Sequence, residues 1–317
     1  MTLNDFAQNN STPTKQKGLR MTKLTYFARS ALKLSKSEQY HCPNCGCKGS
    51  KLVERKYFIT ALRRCDECKL MFRTPTDSPQ ESAAFYNDLY EQGFTTGMPT
   101  DQELSTYKAS NFKESDRDYE IYLSVLAMLG CSPGQKLFDF GCSWGYGSYQ
   151  LSLAGYDVTA TEISLTRRKF AAEKLGVRVN SDFEGWSRRP ENLSSFDVFF
   201  SSHVLEHVPS PSNVIDAAFR ILKPGGLFVA FHPNGSEPCR ATHPTWSRLW
   251  GEVHPNMIDD IYYDNVLGKY SRIYGSTPST ITSEQRDFLF KSSRPGVLRT
   301  NNLEGSEMFV AARKNGH

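Results

Sequence analysis

Between residues 136 and 233 the apolar positions switch repeatedly between the short runs of buried strands and the wider spacing of amphipathic helices. Leu137, Phe138 and Phe140 read as a short buried strand interrupted by Asp139. SYQLSLAGY follows with apolar residues at helical spacing. A second strand centres on Val158, Thr159 and Ala160, a third on VRVNSDFEG, a fourth on residues 197–201 and a fifth on GLFVAFHP, with a helix over 213–222 before the fifth. SRIYGSTP and GSEMFVAARK read as the last two strands. This alternation predicts an α/β fold: a Rossmann-like, doubly wound, mostly parallel sheet of seven strands with helices on both faces.

The flanks have other patterns. KLVERKYFITALRRC reads as paired strands, and residues 114–129 as an amphipathic helix carrying Tyr119, Tyr122, Leu123 and Leu126. FYNDLYEQGF sets Tyr86 and Tyr90 one helical turn apart. TPTDSP is a turn-rich boundary. The division expected is a disordered basic leader over 1–37, a small module over 38–78, a helical lid or linker over 79–130, and a main domain over 131–317. An insertion around 234–265, holding His243, His254, Trp246, Trp250, Tyr262 and Tyr263, is expected either to cover the substrate, with its aromatics suited to stacking on a polar ring, or to form a hydrophobic subcore under a long loop.

Two stretches carry chemistry. Gly141-Cys142-Ser143-Trp144-Gly145-Tyr146-Gly147 lies between strand and helix, where backbone N–H groups can approach a ligand without an intervening Cβ. Its spacing departs from the dinucleotide fingerprint, and Asp139 would repel a pyrophosphate but suits an ammonium group. Glu162, at the carboxyl end of the second strand, is placed to bind both hydroxyls of a ribose. The other stretch holds Cys42, Cys45, Cys65 and Cys68, two CxxC pairs separated by residues 46–64. Each pair can form a knuckle, and two knuckles close a tetrahedral thiolate site for structural zinc, the zinc-ribbon pattern. Cys47 and His41 are nearby substitutes.

Taken in order, DFGCSWG, Glu162, Asp182-Phe183, FDVFFSSHVLEHVPSP and RILKPGG resemble the motifs of class I S-adenosylmethionine-dependent methyltransferases of the small-molecule type, over roughly residues 136–233. The resemblance implies S-adenosylmethionine as cofactor. It places Asp139, Gly141, Cys142 and Gly145 at the methionine end, Glu162 at the ribose with Ile163 beside it among the cofactor-binding residues, Asp182 and Phe183 at the adenine, Ser202 past the fourth strand, and Tyr86 in a lid. It implies a small-molecule acceptor, a hydroxyl of a sugar or of a secondary-metabolite intermediate. The segment His203-Val204-Leu205-Glu206-His207 admits a purely structural loop, a general base at His207 or His203, with His232 and His254 in reserve, or a divalent metal held by His203, Glu206 and His207. A hard metal such as magnesium fits it poorly, because His203 stands where ubiquinone-pathway O-methyltransferases with a Glu-x-x-Glu-His segment carry glutamate.

Charge adds a second candidate partner. Residues 1–80 carry 15 Lys and Arg against 6 Asp and Glu, and the remainder 23 against 28. A basic amino-terminal part suits nucleic acid, so RNA methylation is the alternative activity, and a non-catalytic zinc-binding scaffold is the alternative of another class. No apolar run is long enough to cross a bilayer and no secretory h-region opens the chain, so a cytoplasmic protein without a membrane partner is expected.

Overall fold

The computed structural model describes residues 23–35, 37–78, 81, 97–292 and 294–316. The first helix, α1 (Lys23–Lys33), falls inside the stretch expected to be disordered. Its sequence KLTYFARSALK is amphipathic, and its last residue is anchored: Lys33 Nζ lies 2.8 Å from both Asp77 and Glu81.

Strands β1 (Ser50–Lys56), β2 (Thr60–Cys65) and β3 (Met71–Thr74) form an antiparallel sheet. Next come α2 (Asp101–Ala109) and α3 (Glu120–Met128). The latter begins later than its apolar pattern predicts, because Asn111, Phe112 and Glu114 adopt positive φ and turn the chain before it. Then follow β4 (Lys136–Phe140), α4 (Tyr146–Leu153), β5 (Asp157–Thr161), α5 (Leu165–Leu175), β6 (Arg178–Asn180), α6 (Phe183–Ser187), β7 (Phe196–Ser202), α7 (Pro211–Ile221) and β8 (Leu222–Pro233). The remainder is α8 (Glu237–Thr242), β9 (Asn256–Met257), α9 (Asp260–Val266), β10 (Arg272–Ser276), α10 (Ser283–Lys291), β11 (Val297–Arg299) and β12 (Glu307–Arg313).

The main sheet runs β11-β10-β12-β8-β7-β4-β5-β6. Its pairs from β8 to β6 are parallel, and β12 enters antiparallel between β8 and β10. The expected seven strands are present with an eighth, β11, whose three residues are too short and too exposed to register as a strand in the sequence. Alternate strand residues feed two apolar layers. Phe138, Phe199 and Phe228 pack on one face, and Leu137, Val198, Phe200, Val229 and Phe231 on the other.

The 38–78 module does not stand apart. β3 pairs with β9 through Met71↔Met257 and Phe72↔Asn256, so a strand of the expected cover completes the smaller sheet. Trp250 Nε1 donates to Glu54 at 2.7 Å, Arg64 reaches Asp259 at 2.6 Å, and Ser212 N donates to Asn44 Oδ1 at 3.0 Å. Among the described residues no helix is long and apolar enough to cross a membrane.

Candidate functional site

The first half of the site lies at the carboxyl ends of β4, β5 and β7, where doubly wound sheets bind ligands. Gly141 and Cys142 both donate to Thr161 O at 3.0 Å, which folds the chain sharply out of β4. Gly141 (φ +84°) and Gly145 (φ +90°) are required twice over. A Cβ would sit 2.4 Å from Val204 Cγ2 at the first and 2.8 Å from Ala171 Cβ at the second. Gly145 then caps the amino end of α4, leaving that helix's N–H groups directed at the turn.

Asp139 is buried at the floor and accepts a hydrogen bond from Ser148 Oγ. Burial pushes its carboxyl up to about 7, with Glu162 adding to the rise and Ser148 opposing it. Glu162 is also buried, and burial raises its pKa; it accepts from Ser143 N at 3.0 Å and Ser164 N at 2.7 Å. Each carboxylate oxygen keeps further acceptor capacity for a diol. Ile163, beside it, is 56% exposed and presents an apolar surface at the rim. Asp182 caps α6, accepting from Gly185 N at 3.0 Å, and Phe183 is buried against Phe138, Phe140 and Phe199. Ser202 ends β7 beside Tyr119 and Tyr122, whose hydroxyls it meets. Cys142 is buried in the turn. The structure therefore brings Asp139, Gly141, Cys142, Gly145, Glu162 and Ile163 around one turn. Tyr86 lies outside the described residues.

The second half centres on the loop after β7. His203 takes a left-handed φ of +55°, rare for a residue with a side chain, while its N–H donates to Phe231 O at 2.8 Å. Its Nε2 lies 2.6 Å from Glu307 Oε1, which also accepts from Tyr122 Oη at 2.9 Å, and its Nδ1 lies 3.6 Å from Glu206. Burial works to lower the pKa of His203, but Glu206 and Glu307 outweigh it and carry it up to about 10. The side chain is 44% exposed, and at neutral pH it is an imidazolium, which orients a partner rather than taking its proton. His207 is the opposite case. Burial takes it down to about 4, Glu206 opposing, and its Nδ1 faces Val253 O at 2.7 Å. His232 is wholly buried and reaches no surface. His254 stacks edge-on to His207 with ring centroids 4.8 Å apart.

The aromatics of the 234–265 stretch do not form a stacking surface. Trp246, Trp250, Tyr262 and Tyr263 are all buried. The tryptophans are core because the 38–78 module packs on them, Leu62 and Met71 joining their cluster and β1 supplying Glu54 and Lys56 to Trp250, whereas Tyr263 packs on His232 and Tyr274 of the main sheet. Glu307, Tyr122 and Ser148 were not singled out as site residues from the sequence. No local motif marks them; register across β8 and β12, and the packing of α3 and α4, put them there.

The four sulfurs of Cys42, Cys45, Cys65 and Cys68 lie within 4.8 Å of one another. Cys42 and Cys68 approach to 3.5 Å, as do Cys45 and Cys65. Backbone N–H groups of Asn44 and Cys45 point at the Cys42 sulfur, and those of Glu67 and Cys68 at Cys65. Hydrogen bonding from Cys42 favours the Cys68 thiolate, taking it down to about 5. Crowded sulfurs ringed by amide donors are the arrangement a tetrahedral thiophilic ion takes. Cys47 turns to Gly49 O instead, and neither it nor His41 joins the group.

Strand order and glycine turn together define a Rossmann-like, doubly wound sheet with a ligand-binding turn at the carboxyl ends of its strands. Residues 138–230 match the family model described as a methyltransferase domain. A sterol 24-C-methyltransferase of Pneumocystis carinii is 28% identical over 159 residues, 46% of this chain and 40% of that protein. A ubiquinone biosynthesis O-methyltransferase of Marinobacter nauticus is 36% identical over 104 residues, 31% of this chain and 44% of that protein. The matched region is thus under half the length of either relative. Among solved structures, magnesium protoporphyrin IX methyltransferase of Synechocystis PCC 6803 aligns with a TM-score of 0.43 at 14% identity, covering 73% of this chain and 96% of that one.

Proposed function

We propose that this chain transfers a methyl group from S-adenosylmethionine to a small-molecule acceptor, a hydroxyl first, and that Cys42, Cys45, Cys65 and Cys68 hold a structural zinc ion. Glu162 carries the reading: a buried carboxylate at the end of β5, oriented by two backbone amides beside a glycine turn, is built to accept from a vicinal diol. The methyltransferase-domain match over the same residues supports it. The names of the relatives, which concern sterols and ubiquinone biosynthesis, support a small-molecule acceptor over RNA.

The bound cofactor would supply an electrophilic methyl on a sulfonium, open to in-line displacement. Asp139, once ionised, would pair with the ammonium of its methionine end, and the amides after Gly141 would approach the carboxylate. Glu162 would hold the ribose, Ile163 and Phe183 the apolar faces of the adenine, and Asp182 its amine. Ser202 would border the reacting end. His203, held cationic by Glu307, would orient the acceptor oxygen at the mouth of β7. The zinc ion would fix the two knuckles and so the sheet that β9 completes.

Calorimetric titration with S-adenosylhomocysteine, with zinc measured on the same sample, tests both parts. The expected result is one site of micromolar affinity, weakened by Glu162→Ala. Folded, zinc-loaded protein that takes up no ligand would leave the methyl-transfer reading without support.

A further inference from the structure

The buried group around Glu206 is not explained by methyl transfer. Its carboxyl is 1% exposed, and neither oxygen has a hydrogen-bond partner among the described residues. A carboxylate buried without hydrogen bonds is costly unless a cation sits on it. His203 only partly answers this, at 3.6 Å, with its closer contact at Glu307.

Two other imidazoles converge on the same carboxylate. One nitrogen each of His207 and His254, and one oxygen of Glu206, lie within 4.8 Å of one another. His207 Nε2 is 3.8 Å from Glu206 Oε1. In both histidines Nδ1 faces a backbone carbonyl, Val253 O at 2.7 Å and Leu249 O at 2.8 Å. A carbonyl only accepts, so Nδ1 carries the hydrogen and Nε2 carries the lone pair. A carbonyl accepting from the far ring nitrogen fixes the ring orientation of metal-ligating histidines. Both carbonyls come from one short turn, closed by Gly251 N donating to His254 O at 3.0 Å. Asn256 N then donates to Glu206 O at 3.2 Å, tying that turn to the loop after β7.

We propose that Glu206, His207 and His254 form a second metal site, for a zinc-type divalent ion, fastening the 249–256 turn to the loop after β7. Two imidazoles and one carboxylate suit zinc, cobalt or iron(II) rather than magnesium or calcium. The ligand set is not that of the contiguous motif. His203 turns away to Glu307, and the third ligand comes from residue 254, in the 234–265 stretch. The site stands whether or not the chain transfers methyl groups.

Metal stoichiometry on the full-length chain decides it. After chelation and reloading, the wild type should hold about two zinc ions per chain, one on the cysteines and one on the triad. Cobalt(II) titration separates them. A thiolate charge-transfer band should saturate at about one equivalent, and a further equivalent should add d–d absorption of nitrogen/oxygen type without more thiolate signal. His254→Ala should lose only the second signal and drop to about one zinc, with an unchanged far-ultraviolet circular dichroism spectrum. Wild-type protein that saturates at one equivalent, on the cysteines alone, overturns the proposal. So does a folded His254→Ala that keeps both ions. If that variant fails to fold, the wild-type stoichiometry and cobalt spectrum decide on their own.

Discussion

The two halves of the site are built by different logics. The first, proposed for the cofactor, is almost contiguous: Asp139 to Gly145 and Glu162 to Ile163 lie at the ends of two adjacent parallel strands, and each residue is aimed by the turn that carries it. The second is assembled from distant places. His203 and Glu206 come from the loop after β7, Glu307 from the antiparallel strand β12, Tyr122 from α3 and His254 from the turn before β9. The first half is a local property of a strand–turn–helix unit. The second exists only when the ribbon sheet, the 234–265 stretch and the main sheet are packed together, so the two should fail separately.

Breaking the ribbon should give the largest effect. Cys65→Ser is expected to lower Tm by on the order of 10 °C, read by circular dichroism, because the proposed structural zinc would contribute folding free energy directly. S-adenosylhomocysteine affinity, measured below the transition, should change less than about threefold if the halves are independent, since the proposed cofactor contacts lie elsewhere. Gly141→Ala is the exception that sharpens the comparison. Its Cβ would strike Val204, next to His203, at a φ of +84°, so one methyl disturbs both halves. The expected cost is about 2–3 kcal/mol of stability in chemical denaturation. Glu162→Ala should weaken S-adenosylhomocysteine about 30-fold by calorimetry while leaving zinc content unchanged, the loss expected for charge-assisted hydrogen bonds.

The smallest effect is one of pH. Asp139 titrates near 7 in the free protein, above its usual value of 3.8. A raised carboxyl stabilises the fold below its unfolded value, and that contribution fades as pH rises through about 7. A ligand ammonium demands the ionised form. Affinity should therefore fall by up to about tenfold per pH unit below 7 and flatten above it. Asp139→Asn should abolish that slope, and a slope surviving the substitution would place the titrating group elsewhere.

The first half is legible in the sequence as a turn because its constraints are local. Glycines that must take positive φ, an acid at a strand end and paired CxxC knuckles leave marks within a few residues. The second half leaves few. Glu307 sits in an ordinary apolar strand, and only its register opposite Pro233 brings it toward His203. His254 was one histidine among several. The tryptophans and tyrosines of the 234–265 stretch read equally as a stacking surface or a subcore; they are core, and for the tryptophans a partner sheet nearly 200 residues earlier in the chain closes over them. The same blindness hid α1, whose acid-poor, polar surroundings mask an amphipathic turn pattern.

The two-residue match between β3 and β9 has a consequence for inheritance. A ribbon joined by a linker can be traded between proteins like a cassette; this one cannot. Removing residues before 79 would bare the edge of β9 and uncover Met257, Trp246 and Trp250, a surface prone to self-association. A change at Glu54 has to be answered at Trp250, and one at Arg64 at Asp259. The amino-terminal module and the 234–265 stretch must therefore travel, mutate and be engineered as a single unit, although most of the sheet separates them along the chain.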